Sequence, residues 1–91
     1  MNRERRKELS KAIDTLEEAR GKIGEAMEII ETCKDEEEEC YDNLPEGVQD
    51  SERGEAMQEN IDSLDEALSN IEDMPDTIYE AINSIQEAID R

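Results

Sequence analysis

The side chains of this sequence that could do chemistry are carboxylates and two thiols. Asp35-Glu36-Glu37-Glu38-Glu39 is an unbroken acidic run, and Asp42, Glu46, Asp50, Glu52 and Glu55 carry it onward past Tyr41, Asn43 and Arg53. Carboxylates at this density first suggest a divalent cation. A calcium loop begun at Asp42 puts Gly47 at the sixth position, but Leu44 at the third and Arg53 at the twelfth, where an oxygen ligand and a bidentate Glu belong. That match fails. Di-iron sites also use carboxylates at helical spacing, yet they need Glu-x-x-His, and this chain has no histidine. Loose, unspecific divalent-cation binding is all the run offers, and its ordinary role is a solvated face. No metal and no cofactor are expected.

Cys33 and Cys40 lie seven residues apart, about 10.5 Å along a helix, whereas a disulfide needs Cα atoms within about 7 Å. They cannot bond to each other in one straight helix. A zinc site would require two chains or carboxylate ligands, against the preference of structural zinc for four Cys or His. The two thiols read as small residues beside a helical seam in a reducing compartment, with a disulfide across a dimer open to them on oxidation. With no His, Trp or Phe and only Tyr41 and Tyr79, the chain lacks most general bases and pocket walls. No nucleophile, base and orienting group occur together, so an enzyme is not expected.

Charge narrows the function classes further. Twenty-eight Asp and Glu against ten Lys and Arg give a net charge of −18 over 91 residues. Such a surface repels phosphate backbones and anionic lipid, which argues against direct nucleic-acid or membrane binding. The charge is polarised. Residues 1–11 carry Arg3, Arg5, Arg6, Lys7 and Lys11 against Glu4 and Glu8, a net of +3, which leaves −21 on residues 12–91. The basic end suits ion pairing with an acidic arm of the same or a neighbouring chain, or a small phosphate-binding cluster. The start, Met1 to Lys11, has no apolar signal-peptide region and no stretch reaches about 18 apolar residues, so a soluble, cytoplasmic protein is expected.

Two helical arms must position these groups. Leu9, Ile13, Leu16, Ile23, Met27, Ile30, Tyr41 and Leu44 follow 4-3 spacing, with charged residues in the slots at Arg20, Lys34 and Glu37. Met57, Ile61, Leu64, Leu68, Ile71, Ile78, Ile82, Ile85 and Ile89 form a second series, broken in register only at Pro75. A period of 3.5 marks a coiled-coil or bundle seam. The fold class is all-α: an antiparallel helical hairpin in one domain, arm one about 3–43, a turn about 44–50, arm two about 51–90. Pro45 disfavours helix at Leu44, and Gly47 would tolerate a positive φ in the turn. Asp50 or Ser51 would cap the second arm. Pro75 either kinks that arm or restarts it with Asp73 as a cap, and a three-helix bundle is the alternative. The pattern of residues 13–19 recurs at 61–67 and 82–88, as heptads that reuse a few residue types do. A lone two-helix seam is a poor core, so a homodimeric four-helix bundle, or folding on a partner, is expected.

The start Met1–Leu9 and the central segment Asp35–Met57 resemble a family of small acidic proteins from Firmicutes and from their phages and mobile elements, with a likeness over about residues 1–70. The resemblance brings no catalytic or binding residues. It implies a context, since small proteins of mobile elements often oppose host defence. The first expectation is thus an inhibitor, anti-CRISPR-like or a nucleic-acid mimic. Its partner would be a basic host protein in the bacterial cytoplasm, such as a nuclease or CRISPR effector. The contact residues would be Glu36, Glu37, Glu38, Glu39, Tyr41, Asp42, Asn43, Glu46, Asp50, Glu52, Arg53 and Glu55. The alternatives are a homo-oligomeric assembly factor working through the seam and a nucleotide-signal sponge using Arg3, Arg5, Arg6 and Lys7.

Overall fold

The computed structural model describes residues 1–91 and contains four helices and no strand: α1 (Arg3–Asp42), α2 (Glu46–Gln49), α3 (Glu52–Ile71) and α4 (Met74–Asp90). The protein is all-α. α1 starts where Asn2 Oδ1 accepts the Arg5 backbone N–H at 2.8 Å, and it contains no proline that would stop it. It ends three residues before Pro45, which excludes helix from the residue it follows. α3 starts at Ser51, whose Oγ accepts the Gly54 N–H at 3.5 Å, so Ser51 rather than Asp50 is the cap.

The connection departs from the expected turn. Residues 46–49 form one turn of helix, with the N–H groups of Val48 and Gln49 both donating to the Pro45 carbonyl at 2.8 and 3.3 Å. Gly47 lies inside that turn, and no glycine in the chain has a positive φ. The reason is Pro45. Its φ of −58° and ψ of 148° end one helix and aim the chain into the next turn, so no left-handed residue is required.

Pro75 splits the second arm. α3 closes with the Glu72 N–H on the Leu68 carbonyl at 2.9 Å, and α4 begins at Met74. Restarting puts Pro75 in the first turn of α4, where its missing N–H would have had no helical partner anyway. Asp73 occupies the cap position, as expected, but its side chain makes no capping bond and its backbone is helical (φ −91°, ψ −8°).

Packing divides the chain into two compact units, residues 1–25 with 73–91 and residues 26–72. In the first, Ile82 is buried, and Leu9, Ile13, Leu16 and Ile23 are half-buried. In the second, Ile61 and Gly54 are buried, and Met27, Ile30, Leu64 and Leu68 are half-buried. Among the hydrophobic side chains only Ile61 and Ile82, each 6 % exposed, reach true core burial. No helix is long and apolar enough to cross a membrane.

The charged seam slots are all partnered. In the first unit, Arg20 Nε donates to the Pro75 carbonyl at 3.1 Å, and its guanidinium lies 5.1 Å from the centre of the Tyr79 ring. The gap in one apolar series thus meets the gap in the other: a cation fills the space facing Pro75 and stacks on an aromatic face. In the second unit, Lys34 Nζ lies 3.1 Å from Asp65 and 3.7 Å from Glu38, and Asn60 Nδ2 donates to Glu37 Oε2 at 3.3 Å. Charges at seam positions would be costly if unpaired, and each has a polar neighbour within reach.

Candidate interaction surface

The acidic segment is built on the C-terminal turns of α1, the short α2 and the first turn of α3. Its scaffold is a set of local backbone bonds. The Tyr41 carbonyl, one of the four that a helix end leaves free, accepts both the Leu44 N–H and the Gln49 side-chain amide at 3.1 Å. Ser51 ties the other side, with its N–H donating to the Val48 carbonyl at 3.0 Å and its hydroxyl to the same oxygen. Gly54 completes the joint. A Cβ there would lie 2.1 Å from the Gln49 carbonyl oxygen and 2.6 Å from that of Val48, so only glycine lets α2 seat on α3.

The predicted contact residues do not form one patch. Five consecutive residues at about 100° each encircle a helix, and 35–39 accordingly point in different directions. Glu37 turns to Asn60 and Glu38 to Lys34, both half-buried, whereas Glu36 and Glu39 are exposed. Tyr41 is half-buried, its backbone engaged by Gln49. Asp42, Asn43, Glu46, Asp50, Glu52, Arg53 and Glu55 are exposed, and none has an ion pair or side-chain hydrogen bond. Of the ten carboxylates between residues 35 and 55, only Glu37 and Glu38 have side-chain partners.

Electrostatics set this segment in tension with its helix. α1 ends in acidic residues with no basic residue in its last turn, so Glu39 and Asp42 face the negative end of the helix dipole. Glu52 and Glu55 sit in the first turn of α3, where the dipole favours them. The Asp65 hydrogen bond, aided by the fields of Asp65, Glu38 and Asp35, raises the pKa of Lys34 above the ordinary 10.5 despite desolvation.

Other candidate chemistry is sparse. No three acidic or thiol groups converge as metal ligands would. Cys33 and Cys40 are free and exposed. At the basic end only Lys11 has an ion pair, with Glu8 at 3.1 Å in the same helix; Arg3, Arg5, Arg6 and Lys7 have none. Sequence reasoning missed Gly54, Gln49 and Asn60, although the Ser51 cap three residues before Gly54 marks where α3 would be approached. The sequence matches no family model, no curated protein and no solved structure.

Proposed function

We propose that this chain is an acidic interaction protein that occupies a basic, nucleic-acid-binding surface of a bacterial defence protein and so inhibits it. In this reading the helices form an antiparallel hairpin, and two copies pair as a four-helix bundle. The observation that carries it is the set of unpartnered carboxylates: eight of ten between residues 35 and 55 find no partner within the chain. Charge held unpaired at the end of α1 costs stability. A partner presenting Arg and Lys would relieve that cost, and carboxylates spaced along helices would replace phosphates. The resemblance of the central segment to small acidic proteins of phages and mobile elements supports the same setting.

The test is a pull-down from a bacterial host lysate at low salt, eluted by a salt step and identified by mass spectrometry. The expected catch is a nucleic-acid-binding protein whose retention is lost in the triple variant Glu36→Gln, Glu39→Gln and Asp42→Asn. A catch retained equally by that variant, or one whose binding is indifferent to salt between about 50 and 500 mM, would refute it.

A further inference from the structure

In the unit of residues 1–25 and 73–91, an open notch of about 370 Å³ is lined by Glu17, Arg20, Gly21, Gly24 and Pro75. Its floor is bare because two glycines stand one turn apart on α1, and a Cβ at either would meet nothing within 4 Å. Pro75 supplies an apolar wall. Arg20 is fixed at the notch, with its Nε donating to the Pro75 carbonyl at 3.1 Å and its guanidinium 5.1 Å from the centre of the Tyr79 ring. Those contacts use one N–H and one face of the plane, so both terminal amino groups of the guanidinium are left without an acceptor in the chain. Glu17 would be their ordinary partner, since residues three apart are neighbours on a helix. Pro75 and Tyr79 draw Arg20 away from it, and the exposed Glu17 carboxylate has no ion pair or hydrogen bond of its own. A cation and an anion thus share one small notch unpaired.

From this we infer that the notch binds an α-amino-acid group. Its carboxylate accepts from the terminal amino groups of Arg20, the neighbouring ammonium or amide N–H donates to Glu17, and a small apolar side chain lies against Pro75 over the two glycines. Arg20 is suited to this because its stacking on Tyr79 and its bond to Pro75 hold the guanidinium before any ligand arrives, which lowers the entropy lost on binding. Charge selects the ligand. A bare anion would meet Glu17 inside the notch and a net −18 on the chain, whereas a group with both an acceptor and a donor turns Glu17 into a partner. The volume is near the lower end of the range of about 300–1,000 Å³ typical of small-molecule sites. The inference does not rest on the acidic segment of residues 35–55, which belongs to the other unit. A free amino acid and the C-terminal residue of a peptide carry the same chemistry, and the probes below tell them apart.

The test is a titration of the isotope-labelled full chain, read from backbone amide shifts by NMR, with each probe taken to about 20 mM so that a Kd near about 1 mM is resolved. The probes are leucine, a tripeptide ending in leucine, leucinamide, which lacks the carboxylate, and acetate, which lacks the ammonium. Leucine, the tripeptide or both should saturate shifts at residues 17–24 and 75–79, with leucinamide and acetate at least about tenfold weaker, the effect of losing a charge-assisted hydrogen bond. Saturation by leucine alone assigns the site to a free amino acid, and saturation by the tripeptide alone assigns it to a peptide C-terminus. Glu17→Gln should weaken the saturating probe about threefold and strengthen acetate. Arg20→Gln and Gly21→Leu should each abolish saturation. Gly21→Leu fills the notch at an exposed position with open space for a Cβ, so it removes no contact of the fold, and circular dichroism verifies its helix content. Saturable binding that survives Gly21→Leu, leucinamide or acetate binding as tightly as leucine and the tripeptide, or no saturation by either of those two overturns the proposal.

Discussion

Replacing Gly54 by alanine should destabilise the protein, although alanine is the better helix former. In an open helix interior, Gly→Ala gains about 1 kcal/mol from backbone entropy. Gly21 and Gly24 are such sites, since a Cβ there meets nothing within 4 Å. At Gly54 the added methyl would lie 2.1 Å from the Gln49 oxygen, 2.6 Å from its carbonyl carbon and 2.6 Å from the Val48 oxygen. All three are backbone atoms, so no rotamer change relieves the contact. α2 must shift, straining the Gln49–Tyr41 and Ser51–Val48 bonds. Overpacking costs about 1–3 kcal/mol and a loosened hydrogen bond about 1 more. After crediting the helix gain, the net loss is about 1–3 kcal/mol. Urea unfolding followed by circular dichroism at the helical band gives the comparison directly. Gly21→Ala and Gly24→Ala should raise the midpoint and Gly54→Ala should lower it, all at similar m-values. If Gly54→Ala stabilises as much as Gly21→Ala, the seating of α2 on α3 is not as described.

Three further outcomes follow from the same packing. Ile61→Ala and Ile82→Ala should each cost about 2–4 kcal/mol in urea unfolding, whereas Ile29→Ala, at a position 65 % exposed, should stay within about 0.5 kcal/mol. Because Lys34 titrates above its ordinary value when folded, its pairing stabilises fully below about pH 10.5 and fades as pH rises through the higher folded pKa. Melting curves from pH 8 to 11 should therefore show an alkaline loss that is smaller in Lys34→Gln. Raising NaCl from about 10 to 500 mM should increase the melting temperature, because screening of the −18 charge outweighs screening of the four ion pairs. A salt-induced decrease would contradict that balance.

The helices were legible because their signals are local. Leu9 to Ile30 and Met57 to Ile89 repeat at the spacing that a seam demands, Ser51 has the chemistry of a cap, and Pro75 either kinks a helix or opens one. What escaped the sequence depends on residues distant along the chain. Gly47 looks like a turn glycine, but Pro45 had already set the backbone path. Gly54 looks like an ordinary helix residue until α2 is laid against it. The slots at Arg20, Lys34 and Glu37 read as defects, and only the pairing of α1 with the other helices shows Pro75, Asp65 and Asn60 opposite them. The acidic run reads as one block in the sequence. On a helix it separates into inward residues that are paired and outward ones that are not.

Those outward carboxylates carry the functional claim, and competition tests it most directly. The isolated partner, loaded with a labelled nucleic acid that it binds, is titrated with this chain at NaCl from about 50 to 500 mM. The predicted result is stoichiometric displacement of the nucleic acid at low salt, with an inhibition constant that rises at least tenfold across the series, as expected for an interface dominated by exposed charge (about 1.4 kcal/mol). Simultaneous binding of chain and nucleic acid, or displacement insensitive to salt, would contradict it.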